Sequence, residues 1–112
     1  MTYKNRDPHL FLQDIYQAAQ SIINYTENIE YTDFIVDKKT FEAVCYNLIV
    51  IGEASKHIPE ALKKQLKEVP FDEILGLRNR LAHDYLGIDN SILWSIINHD
   101  IPDLKQHLEK FL

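Results

Sequence analysis

Between Gly76 and Ile88 the chain reads Gly-Leu-Arg-Asn-Arg-Leu-Ala-His-Asp-Tyr-Leu-Gly-Ile, which gathers Arg78, Asn79, Arg80, His83, Asp84 and Tyr85 within eight residues. Elsewhere the chain spends such side chains singly. Arginine carries a permanent planar cation that matches a phosphate. Histidine titrates near neutrality and can take or give a proton. Together they suit cleavage of RNA without a metal. A histidine accepts the proton of a ribose 2′-hydroxyl, the freed oxygen attacks the adjacent phosphate, and arginine stabilises the charge that builds on it. A second histidine protonates the departing 5′-oxygen, and the product ends in a 2′,3′-cyclic phosphate. The competing reading is structural, with Arg78 and Asp84 in surface ion pairs and His83 capping a helix end.

Spacing constrains how these groups can meet. Asn79 and His83 are four apart and share a helical face, so the amide can hold one imidazole nitrogen. Arg78 and Tyr85 are seven apart and also share a face. Arg78 and His83 are five apart, about 140° around an ideal helix axis. A straight helix therefore does not focus both on one atom. Either the helix frays near His83, or two copies meet across a symmetry axis and each contributes one face. The second arrangement is preferred, because a symmetric pair doubles the chemical groups in one cleft.

The elements that must position this segment are helical. Asp7 and Pro8 form a favoured helix start. Phe11, Ile15, Ala18, Ile22, Tyr25 and Ile29 follow at spacings of three and four, widened by Leu12, Tyr16, Ala19 and Ile23. Thr32 and Asp33 mark a break or a short turn. A second long helix is expected from about Lys38 to His57, with Phe41, Val44, Leu48, Ile51, Ser55 and Ile58 along its seam. Pro59 opens a short helix that Pro70 ends. Asp72 is expected to cap the helix carrying the Arg/His cluster, with Gly87 as its stop. Asp89 or Asn90 caps a last helix to about Phe111, which Pro102 should kink or split. The expectation is an all-α, up-and-down bundle of four main helices plus short pieces, forming a single domain over residues 1–112.

Composition agrees with this and narrows the function. Three glycines and four prolines are too few for the many tight turns of a sandwich or barrel. A net charge of −5 counts against general binding of duplex DNA or bulk RNA. The charge is uneven, however. Residues 56–80 hold six cations against four acids, so that segment is +2 and the remainder −7. This is either a solvated helix face or a basic rim around a phosphate site. The single Cys45 sits in an apolar run and reads as a small buried hydrophobe, which fits a reducing cytoplasm. The first six residues lack the apolar stretch of a signal peptide, and the longest apolar run, Leu48 to Ile51, is too short to span a membrane.

Arg78-x4-His83-x-Tyr85 matches the Arg-x(4–6)-His-x-Tyr motif of HEPN ribonucleases, and Asn79 matches the polar residue that follows the arginine. The wider chain resembles the HepT toxin family. Ile51-Gly52-Glu53-Ala54 is similar to that family's Ile-Gly-Glu-Ala segment, and Trp94 with Asp100-Ile101-Pro102-Asp103-Leu104 resembles its closing helix. The resemblance covers about residues 7 to 112. It implies an HEPN-like helical bundle that dimerises, with two Arg/His sets lining one cleft. It further implies a metal-independent endoribonuclease toxin without a cofactor. The implied partner is a minimal nucleotidyltransferase antitoxin that silences the toxin by adding AMP to the motif tyrosine. By position, Arg78 and His83 are the catalytic pair, Asn79 the orienting residue and Tyr85 the modified tyrosine. An AMP on Tyr85 would set a negative phosphodiester and a bulky base beside Arg78, blocking an RNA phosphate.

Other residues are weighed beside these. Glu53 lies on an apolar helix stretch, where a carboxylate needs a partner or an opening to water. It is a candidate for support of the site or an interface by pairing with an arginine, as are Arg80 and Asp84 by position. His99 and Asp103 are four apart, but no His-Glu-x-x-His or paired-cysteine pattern accompanies them, so no metal site is expected. Trp94 reads as a core or interface anchor. Two other functions remain in view: a non-catalytic dimeric adaptor that serves a nucleotidyltransferase as substrate, and a nucleotide-binding module. The intact Arg/Asn/His/Tyr set favours the enzyme, since an adaptor has no need of His83.

Overall fold

The computed structural model describes residues 6–112, and residues 1–5, on which most of the leader-peptide reading rests, lie outside it. The described residues are all-helical, with no strand among them. The four longer helices are α1 (Pro8–Thr26), α3 (Lys38–Ser55), α5 (Phe71–Asp84) and α7 (Ile101–Glu109). Short helices α2 (Tyr31–Phe34), α4 (Glu60–Gln65) and α6 (Asn90–Ser95) connect them. This is the expected bundle of four main helices with short pieces between.

Helix α1 starts as its sequence dictates. The Asp7 carboxylate accepts the His9 backbone N–H at 2.9 Å, and Pro8 occupies the first helical position. Its seam of Phe11, Leu12, Ile15, Ala18, Ala19 and Ile22 is buried. The helix stops earlier than the apolar spacing suggests. Thr26 turns its hydroxyl back onto the Ile22 carbonyl at 2.8 Å, Glu27 is extended, and Asn28 adopts φ 64°. Asparagine tolerates that left-handed conformation better than most residues. Tyr25, expected inside, lies in the last turn of α1 and is exposed, with Thr26 buried beside it, while Ile29 packs beyond the helix end.

Helix α3 is the central element, packed against α1 on one side and α5 on the other, while α7 packs against α1. Asp37 caps α3 through the Thr40 N–H and hydroxyl, at 3.1 and 2.6 Å. Val44, Leu48, Ile51, Ser55 and the following Ile58 are buried, as the seam predicts. Phe34 on α2 is fully buried against Phe41 and Trp94, with ring centroids 6.2 and 5.0 Å away. The sequence reading passed over Phe34. Its immediate neighbours Ile35 and Val36 are exposed, so no periodicity marks it. Trp94 is thereby placed as a core anchor.

Two further boundaries differ in detail. Helix α5 begins at Phe71, directly after Pro70, so Asp72 sits in the first turn and does not cap it. There, with Glu73, it still complements the positive end of the helix dipole. Near the C-terminus, the split expected at Pro102 takes the form of a wide π-turn over Ile96–Asp100, after which α7 begins with Pro102 in its first turn. Proline lacks an N–H and its ring crowds the carbonyl four residues earlier, and the wider turn relieves both problems. Asn98 and His99 side chains bond back to the Trp94 and Ser95 carbonyls at 2.8 and 3.1 Å.

Candidate active site

Helix α5 carries the cluster because one of its faces is apolar enough to hold it on α3. Leu81 is fully buried, and Ile74 and Leu77 pack against the core. The approach of the two helices is closest at Gly52. A Cβ built there would collide with the Cβ of Arg78 and lie 2.5 Å from its Cγ. Glycine in a helix interior costs about 0.5–1 kcal/mol relative to alanine. Here it lets the stem of Arg78 lie directly on the α3 backbone. Sequence reasoning gave Gly52 no role, although a glycine in the middle of an apolar helix is itself a signal of close approach.

The guanidinium that leaves this crossing is held on two sides. Arg78 Nη2 pairs with Glu53 Oε1 on α3, and Arg78 Nη1 donates to Asn79 Oδ1 at 2.9 Å. The expected arginine partner for Glu53 is thus found, and it is Arg78. Arg78 is about one quarter exposed and Glu53 about one third (26% and 36%), so the pair sits at the rim of the helix interface and not in the core. Nε of Arg78 is buried with no hydrogen-bond partner among the described residues.

Asn79 does not orient His83 within the chain, as the four-residue spacing suggested. Its oxygen is turned to Arg78, one residue away. His83 is exposed in the last turn of α5. The other histidines are engaged: His9 with Asp7, His57 stacked on Phe11, His99 on the Ser95 carbonyl, and His107 between Glu68 and Asp103. Among the described residues, His83 alone of the five has a ring with no partner. The residue is exposed, which leaves its ring open to a ligand.

Helix α5 is unbroken from Phe71 to Asp84, so the fraying that would bring His83 round to Arg78 does not occur. The two stay about 140° apart around the axis. Tyr85 follows on a 3-10 turn, Tyr85–Gly87. Its ring lies 6.3 Å from that of Phe41, so Tyr85 and Arg78 both face α3, as their spacing predicts. The Tyr85 side of the turn is partly open, and its hydroxyl has no hydrogen-bond partner among the described residues.

Arg80 and Asp84 are drawn elsewhere. Arg80 lines a groove of about 200 Å³ between α5 and α7, opposite Asp100, Asp103 and His107. It does not join Arg78. Asp84 accepts the Gly87 N–H at 3.2 Å and so closes the turn that carries Tyr85. A Cβ on Gly87 would lie 2.6 Å from Asp84 Oδ2, so a larger residue there would displace the carboxylate. The Asp84 carboxylate makes no ion pair or hydrogen bond with the His83 ring. Asp103 pairs with His107 and not with His99. Among the described residues no three His, Cys, Asp or Glu side chains gather as a metal site would need. Cys45 is buried, and burial with the Glu42 carboxylate nearby pushes its thiol up to about 11. It is therefore not a nucleophile at neutral pH. No helix among the described residues is long and apolar enough to cross a membrane.

Comparison with known proteins gives this arrangement a family. A family model described as "Ribonuclease HepT-like" matches residues 15–111. The chain is 40% identical over 107 residues to "Putative RNase MJ1216" of Methanocaldococcus jannaschii, covering 96% of this chain and 88% of that protein. It is 41% identical over 104 residues to "Putative RNase MJ1380" of the same organism, covering 93% and 95%. With "Probable ribonuclease HepT" of Thermococcus cleftensis it shares 43% identity over 100 residues, covering 89% and 91%. No solved structure matches the chain. The matched span contains α3, α5 and the whole Arg78–Tyr85 cluster, and the chain belongs to the HepT-like ribonuclease family.

Proposed function

We propose that this chain is an endoribonuclease and the toxin of a toxin–antitoxin pair, cleaving RNA by 2′-hydroxyl attack without a metal. The observation that carries the reading is the division of labour on α5. Arg78 is fixed against α3 by Gly52, Glu53 and Asn79, whereas His83 is exposed and unpartnered in the last turn of the helix. The first is what a phosphate anchor needs and the second what an acid–base group needs.

In this mechanism Arg78 binds the scissile phosphate. His83 accepts the 2′-hydroxyl proton while the 2′-oxygen forms a bond to phosphorus. The bond from phosphorus to the 5′-oxygen breaks, and that oxygen takes a proton from a second, protonated histidine. Arg78 stabilises the extra charge of the phosphorane. Within one chain an intact helix keeps the two groups on different faces, which supports a cleft formed by two copies of α5 across a dimer axis. His83 of the second copy is then the acid. Tyr85 is the regulatory residue. It lies on the Arg78 face with an unbonded hydroxyl, and a nucleotidyltransferase antitoxin that attached AMP there would place a negative charge near Arg78.

Expression of the chain alone, beside its His83→Ala variant, tests this. Growth arrest and RNA fragmentation by the first and neither by the second are expected. Equal harmlessness of both, with RNA intact, would leave the non-catalytic adaptor as the better reading.

A further inference from the structure

The mechanism above gives its chemical steps to Arg78 and His83, and Glu53 enters it only as a contact of Arg78. We infer that Glu53 is a positioning residue for Arg78, and that it acts by holding the guanidinium still and not by touching RNA. The inference rests on the ribonuclease reading of the site and adds a residue to it. Three observations on α3 and α5 carry it.

The first is the steric fit. Gly52 lets the Arg78 stem lie on the α3 backbone, so the side chain leaves α5 in one direction. The second is the two-point hold. Glu53 takes one terminal nitrogen and Asn79 the other. An arginine has four rotatable side-chain bonds and, unheld, would lose that freedom anew each time it met a phosphate. The third is that the carboxylate is only partly exposed, and Arg78 is the cation it pairs with. A Glu53 on open surface would be worth little to the arginine; at the rim of a packed interface the pair is less screened.

The hold leaves work for the guanidinium. Glu53 faces Nη2 as an ion-pair partner, and Asn79 accepts one N–H of Nη1, which keeps a second. The phosphate of the substrate meets a cation already partly neutralised by Glu53. The phosphorane carries more charge and gains more from it. Glu53 therefore does not tighten binding of intact RNA but sharpens the preference for the transition state. Loss of the carboxylate should lower kcat without raising KM, because the freed arginine still attracts RNA.

The test compares wild type with Glu53→Ala and Glu53→Gln, all checked for equal melting temperature. Steady-state cleavage of a short RNA gives kcat and KM. A 2′-O-methyl RNA, which cannot be cut, gives the dissociation constant. Glu53→Ala should lose about tenfold or more in kcat, since small misplacements of a catalytic group cost up to about 10²-fold. Its KM and its affinity for the 2′-O-methyl RNA should be unchanged or tighter. Glu53→Gln keeps an acceptor oxygen in the same place and should recover part of the loss. Cleavage by Glu53→Ala at the wild-type rate would overturn the inference, as would a loss confined to RNA binding. NMR of the arginine Nε–H groups gives a readout independent of cleavage, with the Arg78 signal assigned by its disappearance in Arg78→Lys. A restrained Arg78 signal in the wild type that becomes mobile in Glu53→Ala is expected. A signal equally mobile in both would overturn the hold on Arg78. If wild type cuts no RNA, the ribonuclease reading fails, while the NMR comparison still decides whether Glu53 positions Arg78.

Discussion

Gly52 on α3 and Arg78 on α5 cross so closely that no side-chain carbon fits between them. The contact joins the apolar packing of the bundle to the residue proposed to hold phosphate. Gly52→Ala should therefore act twice. Alanine is the better helix former, but its methyl group must push α5 away or drive Arg78 out of place. Overpacking of this kind typically costs about 1–3 kcal/mol. Urea unfolding should show a lower midpoint for Gly52→Ala, and RNA cleavage should fall further than the stability loss explains. A midpoint at or above wild type would show that the crossing is looser than described.

Phe34 offers a test of the core that is independent of the site. It is a large, fully buried side chain on a four-residue helix, wedged against Phe41 and Trp94. Phe34→Ala should cost about 3–5 kcal/mol by transfer and cavity terms together. Val36→Ala, two residues away and 79% exposed, should cost little. Chemical denaturation of the two variants checks the contrast.

Acid should destabilise the helix starts. The carboxyls of Asp7, Asp37 and Asp89 lie below their ordinary value of 3.8, chiefly because each accepts hydrogen bonds: Asp7 from the His9 N–H, Asp37 from the Thr40 hydroxyl, and Asp89 from the Ser91 hydroxyl. A carboxyl lowered in the folded state contributes stability above its unfolded value, and that contribution is lost as pH falls through the folded value. Melting temperature should drop below about pH 4, and the Asp37→Asn, Asp89→Asn double variant should show a shallower drop. Identical acid slopes for wild type and variant would contradict the assignment.

How much of this was legible in the residues depends on range. The spacings of three and four in Phe11–Ile22 and Phe41–Ile58 report burial along one helix, and there the reading held. It differs at Tyr25, which is exposed in the last turn of α1 while Thr26 takes the buried position, and it ran past the stop, which is written in Thr26 and Asn28 and not in the apolar spacing. Phe34 carries no periodic signal at all. Within the cluster, spacing correctly put Arg78 and Tyr85 on one face. It misjudged Asn79, whose amide has two neighbours within reach and turns to the charged one. The pairing of Glu53 was anticipated from the cost of a carboxylate on an apolar stretch. The meeting of Gly52 with Arg78 depends on how two helices cross, which no single-helix pattern contains.

Tyr85 is the residue proposed above for regulation. Its hydroxyl is unbonded among the described residues, and Asp84 and Gly87 form the turn that presents it. Incubation with a nucleotidyltransferase partner and ATP should add AMP to the wild type, visible by intact mass, and none to Tyr85→Phe. Modified protein should lose RNA cleavage. Addition of AMP to Tyr85→Phe at the wild-type level would move the modification to another residue.

The most direct test of the site is the chemistry at the cut end. Purified protein should be incubated with RNA in excess chelator and the fragment ends identified, beside Arg78→Ala and His83→Ala. Wild type should release fragments ending in 2′,3′-cyclic phosphate, and each variant should be slower by about 10²-fold or more, the scale of removing an acid–base group or a charge-stabilising donor. Intact RNA with wild type, fragments formed only when a metal is restored, or undiminished cutting by His83→Ala would contradict Arg78 and His83 as the cleavage pair.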